Sequence, residues 1–225
     1  DDQEGEERAE VDRPVEGPIR LLQQMTLFRL ELVSHESRYA RLDAAGAEGD
    51  QRRPKQFLAE VEAMCKGLAK KYPDVVRCFS FGQTAEGRSI YALAVSRSGA
   101  LTPAQARRSG LPVVLAIGGT HAGEIDGKDA GLILIRELLA KPAKKDVLKN
   151  QIFLFVPVFN VDGHERTSPY NRPNQNGPSL QGERVTAQRI NLNRDWILGQ
   201  SAEMNAMLQL ISQWDPLLTL DLHVT

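Results

Sequence analysis

Neither sign of charge dominates this chain: 28 basic and 29 acidic side chains leave a formal net charge of -1. That balance supplies no broad attraction for nucleic acid or for an anionic membrane surface. Long apolar runs are missing as well, and no stretch approaches the roughly 20 residues that a membrane span requires. Cysteine is scarce, with only Cys65 and Cys78. They fall on an expected helix and the strand after it, where a disulfide and a pair of buried free thiols are both compatible with the sequence. An apolar leader is absent too. The chain opens on Asp1-Asp2-Gln3-Glu4, a pattern expected of a mature or trimmed terminus. No internal repeat is present.

What is there is ordinary globular material. The 225 residues are 41% hydrophobic and 25% charged, enough for one large α/β domain with a substantial core. Residues 1–17 are acidic and poor in aromatics and are expected to be disordered. In residues 18–39, Leu21, Leu22, Met25, Phe28 and Leu32 stand at helical offsets, which predicts a helix packed on the main domain. Residues 44–54 read as a linker. A clearer helix carries Phe57, Leu58, Val61, Met64, Cys65 and Leu68 on one face and ends at Tyr72-Pro73. Two strands follow, over 75–81 and 90–95, joined by a Glu86-Gly87 turn.

Further on, residues 112–117 are an unbroken apolar run of strand length, closed by Gly118-Gly119. Leu132, Ile135, Leu138 and Leu139 then mark a helix that stops before Pro142. Residues 152–156 are entirely apolar, as in a strand with helices on both faces. Residues 168–189 are rich in Asn, Pro, Gly and Gln and read as a long loop, a kind usually functional in compact domains. Met204, Met207, Leu208, Ile211 and Trp214 stripe a last helix, taken as core rather than a cofactor box. A short apolar strand over 217–223 follows. The expected fold class is α/β: a mixed, largely parallel central sheet with helices on both faces. Residues 1–50 are expected to form an N-terminal extension and residues 51–225 the main domain.

His121 and Glu124, in Gly118-Gly119-Thr120-His121-Ala122-Gly123-Glu124, and the distant His223, in Asp221-Leu222-His223, carry the chemistry. A histidine followed three residues later by an acid is a weak signal alone. Here both histidines sit at the carboxyl ends of apolar strands, where open α/β sheets place their ligands. Imidazole nitrogen and carboxylate oxygen bind zinc well, and a catalytic site takes three protein ligands and leaves the fourth position to water. His35 and His164 read as surface or hydrogen-bonded residues.

At these positions the chain resembles the zinc metallocarboxypeptidase family typified by pancreatic carboxypeptidase A, whose ligands are His-x-x-Glu after one strand and a later His after another. The matching residues are His121, Glu124 and His223. Asn160-Val161-Asp162-Gly163 resembles the family's Asn-Pro-Asp-Gly turn, with Val161 in place of proline. Asn191-Leu192-Asn193-Arg194-Asp195-Trp196 resembles the segment whose Asn-Arg pair, here Asn193 and Arg194, grips the substrate's terminal carboxylate. Residues 84–90 resemble the turn between the family's first two strands. The resemblance spans about residues 56–225.

The resemblance implies a metallocarboxypeptidase with one Zn2+ per chain, acting on a peptide with a free C-terminal carboxylate through a metal-activated water. It also implies what this chain lacks, because the family's general-base glutamate and mobile tyrosine lie well downstream of the third ligand. The 225-residue form is therefore expected to bind zinc and turn over poorly. The transition-state arginine is expected at Arg172, with Arg184 or Arg189 as substitutes. Asn191 stands where many members have an aspartate orienting a zinc histidine; its amide oxygen can still accept an imidazole N–H, while raising ligand basicity less. A periplasmic or secreted placement is favoured over a cytoplasmic one. Two other readings stay open: a zinc-dependent deacylase of N-acyl amino acids, whose Gly-Gly-Thr-His and Asp-Leu-His-x-Thr patterns match residues 118–121 and 221–225, and a non-catalytic zinc or peptide-binding module. Substrate side-chain preference and oligomeric state are not written in these residues.

Overall fold

The computed structural model of the chain describes residues 56–140, 146–174 and 180–223. The expected N-terminal extension, the helix over 18–39 and the linker lie outside those residues. Five strands form one sheet in the order β1-β2-β4-β3-β5. They are β1 (Val76–Gln83), β2 (Ser89–Val95), β3 (Val113–Gly118), β4 (Ile152–Val156) and β5 (Leu218–Leu222). Every residue of β3 and β4 is buried. That is the requirement for a strand whose alternate side chains must be covered on two faces.

Helices supply the cover. On one face, Leu132, Ile135 and Leu139 of α3 (Asp126–Ala140) pack on Val114, Ala116, Phe153 and Phe155. On the other, Met204, Met207, Leu210 and Trp214 of α6 (Ala202–Trp214) pack on Leu115, Ile117, Leu154 and Val156. Each such side chain contributes roughly 1.5–3 kcal/mol by leaving water. The helix α1 (Gln56–Lys71) straddles the β1 side of the sheet, with Val61 in one core and Cys65 in the other. Cys65 is disulfide-bonded to Cys78 of β1, with a Cα–Cα distance of 5.4 Å. Of the two alternatives for the thiols, the structure takes the bond.

The mixed sheet is as expected, and its parallel half is the half that matters: β3 pairs in parallel with both β4 and β5, whereas β1–β2 and β2–β4 are antiparallel. Two details of the helical stripes differ from the sequence reading. Met64 is exposed, because α1 lies over a sheet margin that covers only a narrow stripe of it. Leu208 is likewise exposed while Leu210 is buried, since the inward face of α6 is centred on Met207 and Leu210. Not every helix was anticipated. The short α2 (Pro103–Ser109) starts at the Thr102 cap, whose hydroxyl accepts from the Gln105 N–H, has proline in its first turn, and stops at Gly110 with φ 65°. Those signals are all local and legible, but the helix is too short to have an apolar period.

Candidate metal centre

The centre is assembled where β3 and β5 end side by side. After β3 the chain turns sharply at Gly119, which has φ 60° and lies so close to His164 that a Cβ there would stand 2.9 Å from the ring. Only glycine fits. The next turn folds Glu124 back onto His121, its N–H donating to the His121 carbonyl at 3.3 Å. His121 and Glu124 are buried, and His223, one residue past β5, is half-buried. The ligand atoms of the three residues all lie within 4.8 Å of one another. The two rings meet edge to face, with centroids 4.9 Å apart.

The hydrogen bonds decide which atoms face inward. Asn191 Oδ1 accepts from the Asn193 N–H at 3.0 Å, so it is the amide oxygen that meets His121 Nε2 at 2.9 Å. His121 Nε2 therefore carries the proton, and Nδ1 turns its lone pair toward Glu124 Oε1, 3.1 Å away. Two lone pairs held that close repel unless a proton or a cation lies against both. On the other strand, His223 Nδ1 lies 3.0 Å from Asp221 Oδ1, which also accepts from the Thr120 hydroxyl at 3.1 Å. His223 Nε2 is buried without a hydrogen-bond partner. The residues thus fit a divalent cation of zinc's preferences: two imidazoles and one carboxylate, each imidazole anchored through its other nitrogen. Burial pushes the Asp221 carboxyl above its usual range, against the opposing pull of His223 and Thr120.

Around these three side chains the arginines divide. Arg172 is buried, donating to Glu124 Oε1 at 2.9 Å and to the Ala122 carbonyl at 2.8 Å. Arg184 reaches to 4.0 Å from Glu124 Oε1 with 44% of its side chain exposed. Arg189 points away and pairs with Glu183. Asn193 and Arg194 lie on α5 (Leu192–Asp195), which Asn191 caps. Its ends are pinned by buried Leu192, by Trp196 against Phe159 and by Asp195, which accepts from Ser201 Oγ at 2.6 Å. Arg194 itself is exposed and donates to the Asn193 carbonyl.

The other motifs turn out to be one contact. Asn160 caps the short helix α4 (Val161–Glu165), where the sequence suggested only a turn. Asp162 beside it is fully buried and collects the Thr84 hydroxyl at 2.8 Å, the Glu86 N–H at 3.2 Å and Arg88 Nη1 at 2.6 Å. His164 donates from Nδ1 to the Asn160 carbonyl at 2.8 Å, and burial lowers its pKa to about 4. It stays apart from the ligand cluster, as the sequence reading had it, but inside the protein.

A family model described as zinc carboxypeptidase matches residues 61–208, well over half of the chain. The chain belongs to the zinc carboxypeptidase family. Carboxypeptidase D of Homo sapiens is 27% identical over 122 residues, covering 51% of this chain and 8% of that protein. An inactive metallocarboxypeptidase of Schizosaccharomyces pombe is 29% identical over 149 residues, covering 64% of this chain and 29% of the relative. Among solved structures, the carboxypeptidase A from Helicoverpa armigera superposes with a TM-score of 0.56 at 22% identity, over 85% of this chain and 53% of that one. That last likeness is one of fold. The chain spans only part of the length of each of these proteins, from 8% to 53%. In this zinc carboxypeptidase family chain, the residue that sequence reasoning passed over is Asp221. Its signal was the two-residue spacing to His223, which on a strand puts both side chains on one face.

Proposed function

We propose that the chain holds one zinc ion between His121, Glu124 and His223 and grips the terminal carboxylate of a peptide with Asn193 and Arg194, as the metal-bearing part of an exopeptidase. The observation that supports this best is the convergence of two imidazoles and a carboxylate within 4.8 Å at the ends of two parallel strands. When bound there, zinc would lower the pKa of a water toward neutrality and polarise the scissile carbonyl. The remaining tasks fall to side chains. Arg172 neutralises Glu124 from behind and keeps its carboxylate aimed at the centre. Arg194, exposed on a well-anchored helical turn, presents to solvent a guanidinium that can take both oxygens of a carboxylate, with Asn193 beside it. An internal peptide bond offers no such anion, so this contact selects the chain end.

Of the arginines that reach Glu124, Arg184 is the one still open to solvent, and it suits stabilisation of the developing oxyanion. The general base is assigned to no residue of this chain. The Cys65–Cys78 bond supports a periplasmic or secreted placement, since disulfides persist in oxidising compartments. Metal analysis tests the reading. The chain should carry one zinc, the double variant His121→Ala/His223→Ala none, and His164→Ala an unchanged content; full occupancy in the double variant refutes the centre. Assays on an N-blocked dipeptide and on an N-acyl amino acid then separate peptidase from deacylase, and cleavage of the second alone overturns the peptidase.

A further inference from the structure

We infer that Asn160 is a positioning residue for Arg184: its carboxamide holds the backbone of Glu183 and Arg184 so that the guanidinium stays beside Glu124. This rests on the reading of Arg184 as the arginine for the developing oxyanion and says what keeps it in place. Asn160 has no exposed surface. Its N–H donates to the Gly119 carbonyl at 2.9 Å, two residues before His121, and its carbonyl accepts from the His164 N–H at 3.1 Å. The side-chain oxygen accepts from the Gly163 N–H at 3.0 Å, which turns the amide nitrogen the other way. That nitrogen donates to the Arg184 carbonyl at 3.1 Å and, at 3.5 Å, to the Glu183 carbonyl. The Glu183 N–H in turn donates to the Gly163 carbonyl at 2.8 Å.

One amide thus ties two places together. On its backbone side is the turn after β3 that leads to His121; on its side-chain side, 24 positions along the chain, is the arginine. The arginine segment has little room to slide, because a Cβ at Gly182 would stand 2.5 Å from Ala122 Cβ and 2.5 Å from the Gly163 carbonyl oxygen. Backbone lies on backbone there, between α4 and the His121 turn. From this seat the Arg184 side chain reaches to 4.0 Å from Glu124 Oε1. A second hold on the segment is at the surface, where Glu183 pairs with Arg166 at 3.6 Å and with Arg189, whose side chain is 72% exposed. Exposed pairs of long side chains fix little, since solvent screens them and ordering them costs entropy. The buried amide is the stiffer tie, because removing it strips a peptide carbonyl of its donor. A guanidinium on a loosened backbone must be ordered afresh when an anion arrives, and that cost lowers affinity for the anion.

Binding to the zinc-loaded chain tests the inference with two probes: an N-blocked dipeptide, and its phosphonate analogue, which carries a tetrahedral anion in place of the scissile carbonyl. Asn160→Asp keeps an oxygen to accept from the Gly163 N–H and loses the donor to the Arg184 carbonyl. It should bind the phosphonate about three- to tenfold more weakly than the wild type and the dipeptide within about twofold, as expected for one lost hydrogen bond felt through the anion. Asn160→Ser, which caps without adding charge, should give the same order if the aspartate variant does not fold. The double variant Asn160→Asp/Arg184→Ala should lose no more than Arg184→Ala does. Additive losses, equal weakening of both probes, or an unchanged phosphonate affinity in Asn160→Asp beside a weakened Arg184→Ala each refute positioning, as does an equal loss in Glu183→Gln. A wild-type chain that binds neither probe, or an Arg184→Ala variant that binds the phosphonate as tightly as the wild type, instead sinks the reading of Arg184, and this inference with it.

Discussion

Glu203→Gln should stabilise the metal-free protein at neutral pH and do nothing for it in acid. Glu203 lies in the first turn of α6 with no exposed surface, and neither carboxylate oxygen has a hydrogen bond of ordinary geometry. Burial raises its pKa above the usual 4.5, and the nearby Asp162 and Asp195 carboxylates add to the rise. The backbone N–H groups of Glu203 and Ala85 pull the other way, short of such bonds, as does the helix N-terminus. A helix terminus contributes about 0.3–1 kcal/mol at the surface and up to ~2 kcal/mol when partly buried. A buried polar group without a partner costs about 1–3 kcal/mol, and more when charged, so burial wins. Because the folded-state pKa is raised, the folded chain binds more protons than the unfolded one, and stability is lost as pH rises from 4.5 through the folded value. Each unit of that rise costs about 1.4 kcal/mol. The glutamine variant escapes the loss. Urea unfolding of both proteins with chelator at pH 7.5 and at pH 4 should give a gain of about 1–3 kcal/mol at the higher pH that closes at the lower. An equal difference at both pH values, or a loss at pH 7.5, would refute the reasoning.

Three further outcomes follow from the same geometry. Replacing Cys65 and Cys78 by alanine removes a cross-link between residues 13 apart, and should cost about 3 kcal/mol by loop entropy, read as a lower midpoint in denaturant. His164, with its pKa lowered from 6.5 to about 4, binds fewer protons folded than unfolded; its share of stability falls as pH drops from 6.5 toward 4, by up to about 3 kcal/mol, and His164→Gln should flatten that part of the pH–stability curve. Arg172→Ala removes the nearer of the two guanidiniums at the buried Glu124 carboxylate and leaves Arg184, at 4.0 Å. The metal-free variant should lose about 3–5 kcal/mol, and added zinc should raise its melting temperature by more than it raises the wild type's.

Much of this architecture was legible because apolar runs of strand length are hard to mistake. The runs at β3 and β4 fell within a residue of the observed strands, and the strand ends located His121 and His223 correctly. The Asn191 contact to His121 was reached through the family resemblance, in which an orienting aspartate stands at that position and an amide oxygen can still accept an imidazole N–H. What the sequence could not carry is partnership across long separations. Nothing local says that Arg172 would be consumed by Glu124, 48 positions away, or that Asp162 would draw its donors from residues 84–88. Burial of Glu203 was equally hidden, because an acid in the first turn of a helix reads as an ordinary surface favour to the helix terminus.

The clasp on Asp162 has a practical consequence for anyone recombining this chain with its relatives. Thr84, Glu86 and Arg88 serve a carboxylate encoded more than 70 positions later. A crossover placed between the two segments would separate lock from key even if both parents fold well. Chimeras should therefore inherit the early hairpin and the Asp162 turn from one parent, whatever is exchanged between them.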